Sequence, residues 1–279
     1  ESVDVVTTGG TPTLELETGS HNRELITLNQ LLSSLQMELQ PDPTNRTATY
    51  SSGSGSSTLI FNYTVQESDV ASDLDYASTS ALSLNGGTIK DSAHDATLTL
   101  PEVGSSSSLA GSSALVIDTI GPTITGIFSS SVRDRTVKVG DSFPISLSFN
   151  EQVNVVTTGG TPTLELETGS TNRTATFVSA TPYNMAFSYT VQAGDTASYL
   201  DYTSTSALSL NGGTIKDSAG NDATKTLWAV GSSLSLSQSK VIVDGVVPTI
   251  SGVTSSTADG TYTVGDSISI SVAFSESVD

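Results

Sequence analysis

The residues best suited to chemistry in this chain are oxygen donors. Asp217, Asn221 and Asp222 crowd one loop, DSAGNDAT (217–224); Asp244 lies in the segment after it, and Glu151 ends a strand-like run that could meet Asp118 in the segment before. A second acidic stretch, GDTASYLDY, carries Asp195 and Asp201, and its upstream match carries Asp69, Asp73 and Asp75. Calcium takes about six to eight oxygens from carboxylates, amides and backbone carbonyls on loops, and this residue set offers that chemistry. The same residue types cap turns and tolerate left-handed backbone, and no strict EF-hand spacing decides between the two readings. The candidate Ca2+ ligands are therefore Asp118, Glu151, Asp195, Asp201, Asp217, Asn221, Asp222 and Asp244, with turn capping as the open alternative.

Charge points the same way and excludes other classes. The 279 residues hold 29 acidic and 10 basic side chains, a net charge of −19. Residues 1–121 alone hold 15 acidic and 3 basic residues, a net of −12 that is costly to compact without counterions. Such a surface repels nucleic acid and anionic membranes, and no run approaches the roughly 20 apolar residues of a membrane span. There is no cysteine, so neither a disulfide nor a thiolate metal site is available. Catalysis is not expected. The two histidines, His21 and His94, both fall where the internal repeat described below is broken, so a Ser-His-Asp set has no repeated base. Lys90 and Lys216 occupy equivalent TIKD positions and read as solvated turn lysines, with an intramolecular crosslink as the alternative.

The elements that must position these acids repeat. VVTTGGTPTLELETGS stands at 5–20 and at 155–170; YTVQESDVASDLDYASTSALSLNGGTIKDSAHDAT (63–97) matches YTVQAGDTASYLDYTSTSALSLNGGTIKDSAGNDAT (189–224). VIDTIGPTITGIFSSS (116–131) corresponds to VIVDGVVPTISGVTSS (241–256), and VGDSFPISLSFNEQVN (139–154) to VGDSISISVAFSESVD (264–279). The period from Glu151 to Glu276 is 276 − 151 = 125 residues, and the first copy is longer mainly through one insertion at 21–43. Proline in each joint pins an extended chain that cannot donate to a sheet, which marks the boundaries. The expected division is 1–120, a repeat lacking its first strands; 121–246, a complete repeat; and 247–279, the first strands of a further one.

Alternation within each repeat predicts half-buried strands. SFPISLSFN puts Phe143, Ile145, Leu147 and Phe149 on one face; SISISVAF does the same with Ile268, Ile270, Val272 and Phe274. LIFNYTV gives Leu59, Phe61, Tyr63 and Val65, and NMAFSYTV gives Met185, Phe187, Tyr189 and Val191. With NGG turns at 85–87 and 211–213, the economical packing is a two-sheet Greek-key sandwich. The insertion differs: Leu25, Leu28, Leu32, Leu35 and Leu39 recur at spacings of 3 and 4, an apolar stripe on a predicted helix stopped by Pro41 and Pro43. That stripe packs on the flank of its own repeat or docks on another subunit or ligand.

The VIDTIGPT joint, the VGD turn, the FxExV segments (149–153 and 274–278) and the DSAGNDAT loop together resemble the bacterial immunoglobulin-like tandem repeats of giant surface adhesins and biofilm proteins. The resemblance covers the chain apart from 21–43. It implies all-β, immunoglobulin-like domains in a non-enzymatic, extracellular, cell-surface stalk, often stiffened by Ca2+ near the joints. The chain departs from the pattern at His94, which stands where Gly220 and Asn221 stand in the second copy, and in the joint itself, which drifts from VIDTIG to VIVDGVV.

Two functions follow as expectations. The first is a structural segment of a surface fibre, its partners being adjacent repeats or further copies of itself. Head-to-tail assembly through Ile268, Ile270, Val272 and Phe274 would then complete a split domain. The second is a carbohydrate- or protein-binding module acting through loops or the inserted helix, for which the single tryptophan, Trp228, offers little aromatic platform.

Overall fold

The computed structural model describes residues 2–19 and 45–278. The insertion at 21–43, with Leu25, Leu28, Leu32, Leu35 and Leu39, lies outside the described residues. The described chain is all-β, with mostly antiparallel sheets, and divides into two compact units, Glu1–Ile120 and Gly121–Asp279.

The first unit contains β1 (Asp4–Val6), β2 (Thr13–Leu16), β3 (Arg46–Ser52), β4 (Ile60–Asn62), β5 (Val70–Ala71), β6 (Leu82–Ser83), β7 (Thr88–Lys90), a one-turn helix α1 (Leu109–Ser112) and β8 (Ile117–Asp118). Its sheets run β4-β3-β2-β6, β1-β7 and β5-β8. The second unit contains β9 (Ile124–Phe128), β10 (Thr136–Lys138), β11 (Ser142–Phe149), β12 (Asn154–Val156), β13 (Thr163–Glu167), β14 (Arg173–Thr181), β15 (Asn184–Thr190), β16 (Thr196–Ala197), β17 (Asp201–Tyr202), β18 (Leu208–Ser209), β19 (Thr214–Lys216), β20 (Ile242–Asp244), β21 (Ile250–Ser255) and β22 (Ile270–Phe274). Here the main sheet runs β17-β13-β14-β15-β11-β9, with β18 also on β13, beside β10-β20-β16, β12-β19 and β21-β22.

The alternation read from the sequence becomes the core of the second unit. Phe143, Ile145 and Leu147 of β11 stand opposite Tyr189, Phe187 and Met185 of β15, and all six are 2% exposed or less. Same-face partners a few ångströms apart are the unit of sheet stabilisation. Phe143 and Tyr189 meet edge to face with ring centroids 5.5 Å apart. Val137 of β10, Val243 of β20 and Ile215 of β19 join the same cluster, so the core is shared between the main sheet and the two smaller ones.

Turn chemistry repeats as faithfully as the strands. Asn211 (φ 52°) and Gly212 (φ 95°) form the left-handed pair in the turn between β18, which pairs with β13, and β19, which pairs with β12. Asn211 Nδ2 donates to Thr161 O (2.8 Å) and Thr163 Oγ1 (3.0 Å), and a Cβ on Gly159 would sit 2.2 Å from Gly212 O, so glycine is required there. In the first unit Asn85 Nδ2 donates to Thr11 O and Thr13 Oγ1 in the same way.

The pairings of the first unit copy those of the second: β1-β7 matches β12-β19, β5-β8 matches β16-β20, and β3-β4 shows the same register shift as β14-β15. One difference stands out. Among the described residues β4 ends its sheet, whereas β15 is flanked on both sides by β14 and β11. Accordingly Phe61 and Tyr63 are only partly buried and Val65 is 50% exposed, while their counterparts Phe187, Tyr189 and Val191 are sealed. Phe187→Ala should therefore destabilise the second unit by about 4 kcal/mol, the cost of emptying a closed core site, and Phe61→Ala the first unit by less than half of that. Denaturant unfolding followed separately for the two units measures both; equal losses would contradict the difference in packing.

Candidate functional site

The chain enters the second unit at a point where three segments meet. Asn150 N donates to Thr123 O (3.0 Å), Thr123 N donates to Asn150 Oδ1 (2.6 Å), and Thr224 N donates to Pro122 O (2.8 Å). Gly121 lies so close to the loop after β19 that a Cβ there would be 2.1 Å from Asp222 O. The turn after β11 and the 217–224 loop are thereby locked to the incoming strand, and each carries a carboxylate. Oxygens of Glu151 and Asp217 lie within 4.8 Å of each other.

Asp217 is the better defined of the two. Its Oδ1 accepts from Gly220 N (2.7 Å) and Asn221 N (2.8 Å), and its Oδ2 from Asn221 Nδ2 (2.8 Å). Burial alone would raise its pKa, but the Asn221 side chain and the amides of Asn221, Gly220 and Ala219 outweigh it and hold the carboxyl below its usual range. Gly220 takes the positive φ of 99° that lets the loop fold over this carboxylate. The result is a mostly buried carboxylate, kept ionised by its own loop, with a second acid close by; the two could hold a metal ion that shares the oxygens with the loop's donors.

The other sequence-derived candidates have different surroundings. Asp118 belongs to the first unit, where it pairs with Val70 across β5-β8 and accepts from Ile120 N (3.1 Å). Asp244 pairs with Thr196 across β16-β20 and accepts from Val246 N (3.3 Å). Asp222 is exposed and ion-paired with Lys216 Nζ at 2.8 Å, as Asp95 is with Lys90 at 3.0 Å, which gives the two TIKD lysines surface partners. Surface pairs of this kind contribute little.

Asp195 and Asp201 are taken up by the fold, so the turn-capping alternative describes them better than metal ligation. Asp195, 1% exposed, accepts from Arg173 Nε (2.7 Å) on one oxygen and from Tyr189 Oη (2.7 Å) and Gln192 N (2.9 Å) on the other. A cation here would have to displace these donors and sit beside a guanidinium. Asp201 accepts from Tyr202 N (3.0 Å) and Gly231 N (2.9 Å), stitching the loop after Trp228 to β17. Tyr202 Oη reinforces that stitch by donating to Trp228 O at 2.6 Å.

The sequence reading missed the Asp–Arg–Tyr clamp, although its signal was present. Arg46, Tyr63 and Asp69 form the same set in the first unit: Asp69 accepts from Arg46 Nε (2.7 Å), Tyr63 Oη and Gln66 N (2.7 Å). The tyrosine precedes the aspartate by six residues in both copies. Repeated NRT and YTVQ segments upstream of a repeated aspartate were the clue.

No family model, curated protein or solved structure matches the chain. Among the described residues no helix is long and apolar enough to cross a membrane.

The clamps set a pH profile. For Asp195 burial raises the pKa, but the hydrogen bonds from Tyr189, Gln192 and Arg173 outweigh it and leave it depressed; Asp69 is depressed through the same kinds of contact. Groups with depressed folded values stabilise above the unfolded pKa of about 4 and lose that contribution as pH falls below it. Burial, aided by the Asp69 hydrogen bond, pushes Tyr63 up to about 12, and burial pushes Tyr202 up to about 12. Their stabilisation is complete below about 10 and declines as pH rises from there towards 12. Stability should therefore be flat between roughly pH 5 and 9 and fall on both sides. Asp195→Asn should lower it by about 3 kcal/mol at pH 7, a difference from the parent that shrinks below pH 4. A pH-independent difference would contradict the assigned role.

Proposed function

We propose that the chain is a structural segment of an extracellular bacterial surface fibre, built of tandem immunoglobulin-like Greek-key sandwiches and acting without catalysis. The observation that carries this reading is what repeats. The strand pairings, the Asn-Gly turn with its threonine partners, and the Asp–Arg–Tyr clamp recur in both units, and all of them hold a fold together. Modules that repeat their internal fastening and differ at the surface serve as spacers, whose reach grows with copy number.

Glycan or protein recognition through loops is the competing reading. One observation favours it: an open groove lined by Glu167, Thr203, Val230 and the half-exposed Tyr199. The counterpart of Tyr199 in the first unit is Asp73, so the aromatic platform is not a repeated feature. A site confined to one copy makes recognition secondary to the stalk role.

Calcium belongs to the first reading. Glu151 and Asp217 supply carboxylate oxygens within 4.8 Å of each other. At the next joint Thr249 N donates to Ser275 Oγ (3.0 Å) and Ser275 N to Thr249 O (2.8 Å), repeating the Thr123–Asn150 tie. Glu276 follows there as the counterpart of Glu151, and its Oε1 is shielded from solvent without a hydrogen-bond partner among the described residues. A shielded carboxylate oxygen that no donor reaches suits a cation.

The test is thermal melting with Ca2+ and with chelator. At a hundredfold excess over Kd, Ca2+ should add about 2.7 kcal/mol, a rise in Tm of roughly 5 to 10 °C, and Glu151→Gln should abolish most of it. An unchanged midpoint removes calcium from the account.

A further inference from the structure

The sequence holds two Asn-Gly pairs, Asn85-Gly86 and Asn211-Gly212, at equivalent places in the two units. Such a pair is open to chemistry on its own backbone, because glycine puts no side chain in the way of its amide nitrogen, and that nitrogen lies next in the chain to the asparagine. In each unit both residues take the positive φ of a tight turn, 49° and 90° in the first, 52° and 95° in the second. Gly87 N donates to Leu84 O and Gly213 N to Leu210 O, each at 2.8 Å, and these bonds close the two turns.

Three hydrogen bonds pin each asparagine side chain. Ser209 Oγ donates to Asn211 Oδ1 (2.8 Å), and Asn211 Nδ2 donates to Thr161 O (2.8 Å) and Thr163 Oγ1 (3.0 Å). In the first unit Ser83 Oγ donates to Asn85 Oδ1 (2.9 Å), and Asn85 Nδ2 donates to Thr11 O (3.1 Å) and Thr13 Oγ1 (2.8 Å). To cyclise, the side chain must turn its amide carbon onto the glycine nitrogen and release its own nitrogen, which gives up both Nδ2 bonds. The folded turn therefore opposes the reaction that its sequence invites.

We infer that Asn85 and Asn211 are matched sites of spontaneous deamidation, held unreactive by these bonds until the turn opens locally. In the opened turn Gly212 N loses its proton to solvent base and attacks Asn211 Cγ. The Cγ–Nδ2 bond breaks, the departing nitrogen takes a proton from water and leaves as ammonia, and a succinimide remains. Water then adds to one of the two ring carbonyls and breaks its bond to the Gly212 nitrogen. The product is aspartate, or isoaspartate with the main chain routed through the side chain, and no reactant beyond water is needed. Neither product fits back into the turn. Carboxylate oxygens only accept, so aspartate sets an acceptor against Thr161 O where Nδ2 donated. Isoaspartate lengthens the main chain where a Cβ on Gly160 would already be 1.7 Å from Asn211 O. An opening caught by the reaction is thus not reversed. The chemistry is independent of the stalk role proposed above.

Peptide mapping by mass spectrometry follows both sites in one chain, aged in mildly alkaline buffer with and without denaturing guanidinium chloride. The folded chain should convert Asn85 and Asn211 roughly tenfold or more slowly than the denatured chain. Thr163→Val keeps the side-chain shape and removes one Nδ2 acceptor, so conversion at Asn211 should rise severalfold while Asn85, in the other unit, keeps the parent's rate. Thr13→Val should do the reverse. Ser209→Ala, at an exposed position, removes the bond to Oδ1 and should also speed Asn211 without loss of the second unit's cooperative melt. Equal rates in the folded and denatured chains, or no conversion in the denatured chain, overturn the assignment. So do variants that speed both sites together, or that speed Asn211 only where the second unit has lost its melt.

Discussion

Met185, Phe187 and Tyr189 are sealed because β11 lies across them in register, and the rest of the second unit follows from that contact. The strand that covers them comes from upstream in the chain, through β9, and not from the hairpin β14-β15 to which they belong locally. A repeat of this design is complete only when a preceding segment has been laid into it. The same face in the first unit, carried by Leu59, Phe61, Tyr63 and Val65, shows what the covering strand contributes: those side chains are partly or half exposed where their counterparts are closed. Covering an apolar face of this size is worth on the order of 25 cal/mol for each Å2 removed from water, a large sum beside the marginal stability of a domain.

With the sheets in place, charge is used sparingly and at fixed points. Each unit buries one aspartate against one arginine and one tyrosine, Asp69 with Arg46 and Tyr63, Asp195 with Arg173 and Tyr189. Because every oxygen of Asp195 finds a donor, the pair specifies how the turn after β15 meets β14 and leaves no buried charge uncompensated. Asp75 and Asp201 are buried too, each held by backbone amides, while at the joint oxygens of Glu151 and Asp217 lie within 4.8 Å of each other. The fastening aspartates and the acids grouped at the joint thus look alike in sequence.

That likeness explains which parts were legible beforehand. The strand faces of β11 and β15 were readable because a period of two marks which side chains meet the core, and the joint at Pro122 because proline cannot continue a ladder. The repeat also exposed the correspondence of β21-β22 with β9-β11. By residue type alone Asp195 and Asp201 could not be told from cation ligands, because a loop aspartate is equally suited to a cation, an amide or a guanidinium, and the tertiary position of Arg173 or Gly231 decides. The ion pair of Asp222 was hidden for a similar reason: the lysine six residues before it in sequence is its cross-strand neighbour.

Hydrogen–deuterium exchange across residues 59–65 tests the dependence on a covering strand most directly. The account predicts fast exchange there and slow exchange at the equivalent 185–191. Equal protection of the two segments would contradict it.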